Sequence, residues 1–218
     1  MRPFQRLLFV LGFSSAVVAT HFNRAPCQTP GSKDQTACPP HTIVVGPTGA
    51  FKTVQSAVRS IKNATEKYTI LIQPGLYHEQ VNIARTGALT LLGVTAAPND
   101  PSKNTVTILW KQATGTKETG NKDNAYTSAL TVAPTLDSSL TGSGPTGHAV
   151  AAGTKFGNED FRAYNINFVN DFKPRSAGPS LAISVSYANA GFYSCGIKSY
   201  QDTVRSPPPR KARLIRAK

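Results

Sequence analysis

The sequence predicts an all-β fold of many short strands, with a sandwich, a barrel and a β-solenoid all compatible. Three observations carry this. Short apolar runs recur between clusters of Gly, Pro, Asn and Asp. Only Thr53 to Ile61 has helical spacing, so no helical crossovers link the later strands and a doubly wound sheet is disfavoured. Runs such as Thr90-Leu91-Leu92-Gly93-Val94 are more continuously apolar than a half-exposed strand, and their spacing resembles recurring coils with polar corners. The last observation favours the solenoid.

The 218 residues suffice for one domain with a sizeable core. Hydrophobic content of 39% against only 16% charged residues excludes a disordered chain. The abundance of Gly and Pro points to a turn-rich extracellular protein.

At the N-terminus, Arg2 and Arg6 flank a basic start, an apolar run extends from Leu7 to Val18, and Val17-Val18-Ala19 precedes Thr20. This is the pattern of a secretory signal peptide over residues 1–19 and implies a secreted protein. The run is too short to span a membrane comfortably, and no second run is long enough. Residues 20–40 form a polar, proline-rich lead-in segment. Within it Cys27 and Cys38 flank a loop rich in Gly, Pro and Thr, and an oxidising compartment permits them to close a small disulfide ring. Cys195 sits in an alternating strand and reads as a buried free thiol. No Cys/His spacing of ligand type occurs, so no metal site is expected.

The body runs from 41 to 204. His41 to Val45 reads as the first strand, followed by the turn cluster Gly46-Pro47-Thr48-Gly49. Val54, Ala57, Val58 and Ile61 fall on one helical face, with Thr53 placed to cap it. Asn63-Ala64-Thr65 is a glycosylation sequon on Asn63. Further strands are expected at Tyr68–Ile72, Val81–Ile83, Leu89–Val94, Val106–Trp110, Leu130–Val132, Phe161–Val169, Leu181–Val185 and Gly191–Val204. The stretch from Gln112 to Gly147 is long and polar, as functional loops or insertions are. Residues 205–218 carry Arg205, Arg210, Lys211, Arg213, Arg216 and Lys218 with no acid, and read as an unstructured basic tail. Almost half the net charge of +13 sits there without interleaved aromatics. The mildly basic body therefore suits an acidic polysaccharide better than nucleic acid.

Four motifs in order carry a resemblance to a known family. They are Gly49-Ala50-Phe51-Lys52-Thr53-Val54-Gln55-Ser56-Ala57-Val58, Gly75-Leu76-Tyr77-His78-Glu79, Phe161-Arg162-Ala163-Tyr164-Asn165-Ile166-Asn167-Phe168, and Phe192-Tyr193-Ser194-Cys195 followed by Tyr200-Gln201-Asp202-Thr203. They resemble the pectinesterases (pectin methylesterases), particularly the fungal ones. The resemblance implies a right-handed parallel β-helix that hydrolyses methyl esters of polygalacturonate. It implies methyl-esterified pectin (homogalacturonan) as partner, a monomer, and no cofactor. By the match, Asp202 is the acid/base and Gln201 an oxyanion donor. An ester carbonyl needs a nucleophile, a proton donor for the leaving methoxide and donors aimed at the oxyanion, and these residue types supply the last two. Tyr126 and Thr127 resemble a segment beside the substrate groove. Glu79 reads as a structural residue holding a corner.

The chain departs from the family pattern in two places. Pro179 stands where the family often has a Gln, which removes one oxyanion donor. After Val204 the chain reads Arg205-Ser206-Pro207-Pro208-Pro209, and no "D-F-[IV]-[FY]-G" nucleophile motif or late catalytic Arg follows. The resemblance thus implies a C-terminally truncated β-helix that folds poorly and has little or no esterase activity as written. The alternative is a non-catalytic cell-wall polysaccharide-binding protein.

Overall fold

The structure is a computed structural model that describes residues 23–31, 37–62, 65–116, 123–139, 153–173, 178–201, 204–205 and 213–216. The segment 1–19, Asn63 and Asp202 lie outside the described residues. The helices are α1 (Ala25–Gln28) and α2 (Val54–Ser60). The strands are β1 (Thr42–Val45), β2 (Tyr68–Ile72), β3 (Gly75–His78), β4 (Val81–Ile83), β5 (Leu89–Gly93), β6 (Val106–Trp110), β7 (Leu130–Val132), β8 (Phe161–Tyr164), β9 (Ile166–Asn170), β10 (Ile183–Val185), β11 (Asn189–Tyr193), β12 (Gly196–Lys198), β13 (Val204–Arg205) and β14 (Arg213–Arg216).

These strands form three parallel sheets. The first has the order β1-β2-β5-β8-β11-β14, the second β3-β6-β9-β12 and the third β4-β7-β10-β13. Each successive trio gives one strand to each sheet, so the chain winds as a right-handed parallel β-helix. Every named strand pairing is parallel, which excludes the sandwich and the up-and-down barrel that strand periodicity left open. The core lies inside the coils. In the first sheet Ile43, Ile70, Leu91, Ala163 and Phe192 stack in register, one per coil, and all point inward.

Helix α2 covers the end of this core. Val54, Ala57 and Val58 are buried in it, and Thr53 caps the helix by accepting from the Ser56 amide at 3.2 Å. Glu79 adds a second cap. Its two carboxylate oxygens accept from the Val54 and Gln55 amides, each at 2.8 Å. Gln55 in turn accepts from the Asn82 amide at 2.6 Å. The first two sequence motifs are thereby one structural unit, a helix fastened to the coil beside it.

A second cluster lies on the outside of the first sheet. Leu71, Leu92, Val94 and Tyr164 face outward and are covered by Cys27, which is disulfide-bonded to Cys38. Gln28 is fully buried beneath this segment, donating to the Gly93 carbonyl at 2.7 Å and to Asn165 Oδ1 at 2.9 Å. This cover explains why β2 and β5 are apolar on both faces.

Three expectations change. The expected single strands at Phe161–Val169 and Gly191–Val204 are each broken by a left-handed residue, Asn165 (φ 55°) and Ser194 (φ 48°). There the chain turns from the first sheet to the second. A side chain at Gly93 would collide with the Asn165 carbonyl, so glycine is required where the coils meet at this bend. Strand β3 lies within a motif read as a turn and corner, because only Tyr77 of its four residues is buried. The expectation of an unstructured tail from 205 onward does not hold throughout. Arg213–Arg216 pairs with β11 as β14, and Val204–Arg205 pairs with β10. The open edge of β11 offers unpaired backbone groups, and an Arg-Leu-Ile-Arg segment without proline can satisfy them.

Two outcomes follow from these contacts. Glu79→Ala leaves two helix amides without acceptors and should cost about 1–3 kcal/mol in urea denaturation; unchanged stability would contradict the capping role. Burial pushes the Cys195 thiol up to about 11. Only about 0.1% is then thiolate at pH 8. A disulfide reagent should therefore react with Cys195 slowly at pH 8 in the native protein, and rapidly once denaturant is added.

Candidate active site

The candidate site lies where the third sheet begins. Val81, Leu130, Ile183 and Val204 start its four strands and stack in one column. Gln80, the Tyr126–Ser128 segment, Ser180–Leu181 and Gln201 come from four different coils and are linked along this edge.

Gln201 is exposed, and its carboxamide makes no hydrogen bond among the described residues. Its backbone is held firmly. An isolated antiparallel bridge joins Gln201 to Ser180, and the Ser180 amide donates to the Gln201 carbonyl at 3.3 Å. The Ser199 hydroxyl sits between the carbonyls of Ser180 and Gln201, 3.0 Å from the latter, and accepts from the Gln201 amide at 3.3 Å. The backbone is thus positioned, and the carboxamide N–H groups are left available to a ligand.

Pro179 precedes this bridge. It offers no side-chain donor, and its carbonyl accepts from the Thr114 amide at 3.0 Å. Thr114 thus ties the 112–116 segment to the same edge. The Gln expected from the family pattern is replaced by a backbone anchor.

The structure separates Tyr126 from Thr127. Both belong to a one-turn 3-10 helix, Asn124–Thr127, that Gln80 pins by donating to the Tyr126 carbonyl at 2.7 Å and the Ser128 carbonyl at 3.0 Å. Tyr126 is partly exposed, and its hydroxyl lies 3.4 Å from Asp137 Oδ1. Burial, and then Asp137, raise its pKa, so the phenol remains a donor at neutral pH. Thr127 is fully buried. Its hydroxyl accepts from the Leu181 amide at 2.9 Å and donates to the Asn124 carbonyl at 2.7 Å. The expectation that Thr127 contacts substrate is therefore corrected: its hydroxyl is spent joining two loops.

Asn170, which the sequence did not single out, organises the same edge. It is buried at the end of β9, and its Nδ2 shares two N–H groups among the carbonyls of Gln112, Thr127 and Leu181, at 2.9, 2.7 and 3.0 Å. Its Oδ1 accepts from the Gln112 and Phe172 amides, each at 3.3 Å. An Asn between a strand and a loop reads as an ordinary turn residue, so no sequence signal marked it.

The architecture and this edge define a class: a right-handed parallel β-helix that presents an exposed glutamine, Gln201, ahead of one sheet. No family model matches the chain. In sequence and fold, however, the chain is similar to the pectinesterases. It is 24% identical to pectinesterase A of Emericella nidulans over 204 residues, covering 94% of this chain and 51% of that one. It is 28% identical to a probable pectinesterase A of Aspergillus oryzae over 198 residues, covering 91% and 48%. Among solved structures it is similar to the pectin methylesterase from Aspergillus niger, with a TM-score of 0.58 and 26% identity over 76% of this chain and 46% of that one. The chain spans about half the length of the curated relatives it matches.

Asn170→Ala should unpair three carbonyls and two amides and lower stability by about 2–4 kcal/mol in equilibrium denaturation. A loss below about 0.5 kcal/mol, the range of an ordinary surface substitution, would show that these loops hold together without it.

Proposed function

We propose that the chain carries the acid/base half of a carboxylic ester hydrolase site that demethylates cell-wall pectin. The reaction converts a methyl ester and water to a carboxylate and methanol. The observation that carries this reading is the placement of Gln201, immediately before Asp202, on the edge where Ser180 and the Tyr126 turn meet, in a chain similar to pectin methylesterases. Asp202 protonates the departing methoxide and then takes a proton from water. Gln201 donates to the carbonyl oxygen as negative charge develops there. Tyr126 lies beside the polysaccharide. The protein is secreted and acts as a monomer, in keeping with the signal-like residues 1–19 and the fungal relatives. Among the described residues no helix is long and apolar enough to cross a membrane.

The mechanism also needs a nucleophilic carboxylate. A second reading is pectin binding without turnover, which the exposed Gln201 carboxamide and the partly exposed Tyr126 would serve equally. Both readings place ligand at the same edge.

Methanol release from methyl-esterified oligogalacturonide, measured beside its binding, tests the assignment. The expected result is binding that weakens in Gln201→Ala, with slow methanol release that falls by about 10²-fold or more in Asp202→Ala. Methanol release at full strength in Asp202→Ala would contradict the role given to that carboxylate.

A further inference from the structure

A second site is built on the outer face of the first sheet. A cavity of ≈ 870 Å³ opens there, beside the Cys27–Cys38 segment, and its lining includes none of the candidate active-site residues. This volume lies within the usual range for ligand pockets. Two aromatic rings form part of its wall. Tyr164 and Tyr193 occupy the same outward column on adjacent coils, and their rings stack with centroids 4.6 Å apart and planes 13° from parallel.

Three cations join the rings. The Arg24 guanidinium lies 4.6 Å from the Tyr164 centroid, and its buried Nε has no hydrogen-bond partner among the described residues. Arg162 is partly neutralised by Asp160, at 2.7 Å. Lys67 is exposed and has no ion pair among the described residues. The one acid in the lining, Glu66, is engaged by the Tyr68 hydroxyl at 3.2 Å and by His41 at 3.9 Å. The lining therefore offers an aromatic surface with an excess of positive charge.

We propose that this cavity binds an acidic oligosaccharide, a de-esterified stretch of polyuronate, separately from the candidate active site. The apolar face of a sugar ring packs on Tyr193, and ring carboxylates meet Lys67 and Arg24. Aromatic faces suit pyranose rings, and the cation excess selects a charged sugar over a neutral one. The choice of ligand rests on the reading that this chain acts on pectin. Such a site would hold the carboxylate-bearing product while the other edge meets methyl esters.

Calorimetric titration of the full chain with hexagalacturonate, with its fully methyl-esterified form and with a neutral hexasaccharide tests this. Hexagalacturonate should bind at least about 10-fold more tightly than the neutral sugar, and Lys67→Glu should weaken it about 10-fold. Tyr193→Ala should weaken it similarly, and Gln201→Ala should leave it unchanged. Lys67 is exposed, so Lys67→Glu decides the matter if Tyr193→Ala fails to fold. Equal affinity for the neutral sugar, no binding of hexagalacturonate, affinity that survives Lys67→Glu, or affinity lost only in Gln201→Ala would each overturn the proposal. Methanol release is scored separately, so a failed titration beside active methanol release counts against this cavity and leaves the ester-hydrolase reading intact.

Discussion

In-register parallel stacking is the constraint on which the rest depends. Ile43, Ile70, Leu91, Ala163 and Phe192 sit on consecutive rungs, and each rests on the one before. Along this column the aliphatic side chains give way to a small one at Ala163 and then to a ring at Phe192. Phe161 and Phe168 fill the space beside Phe192, with centroids 6.0 Å from it in both cases. A parallel ladder gains nothing from neighbours in sequence, so each coil is stabilised by the next. An uncovered end would expose an apolar cross-section. Helix α2 meets that need at the β1 end, and Glu79 secures it.

The outer face of the first sheet obeys a related rule. Outward side chains on a solenoid usually meet water, yet Leu71 and Leu92 are apolar and buried. The lead-in segment covers them through Cys27, and Gln28 satisfies polar groups at the bend where Asn165 turns the chain. The disulfide closes a short loop, which limits the freedom of the cover in the unfolded chain and is worth about 2–4 kcal/mol in general. At the rim of the cover the column runs on from Tyr164 to Tyr193, whose ring stacks on it, and the cavity begins.

Much of this was legible in the sequence. The unusual apolarity of Thr90-Leu91-Leu92-Gly93-Val94 pointed to burial on both faces, and the helix with its Thr53 cap followed from spacing alone. Strand order was not legible, because the period within a strand says nothing about which strand lies beside it. The bends at Asn165 and Ser194 were hidden, since neither Gly nor Pro marks them. The pairing of Arg213–Arg216 with β11 was hidden too, because its charge and the nearby prolines outweigh its short apolar centre. At the candidate site, Gln201 was legible from its motif. Asn170 and Gln80 were not, because they act on backbone carbonyls brought together only by coiling.

We propose that a methyl-esterified polyuronate meets this chain along the leading edge of the third sheet, from the Tyr126 turn through Ser180 to Gln201. Amide chemical-shift mapping of the full chain with a methyl-esterified hexagalacturonide tests it most directly. The largest shifts are expected at Tyr126, Ser180 and Gln201, with Thr127 perturbed only through its backbone. An edge that stays silent while the ligand binds elsewhere, or perturbations confined to the Tyr164–Tyr193 column, would contradict it.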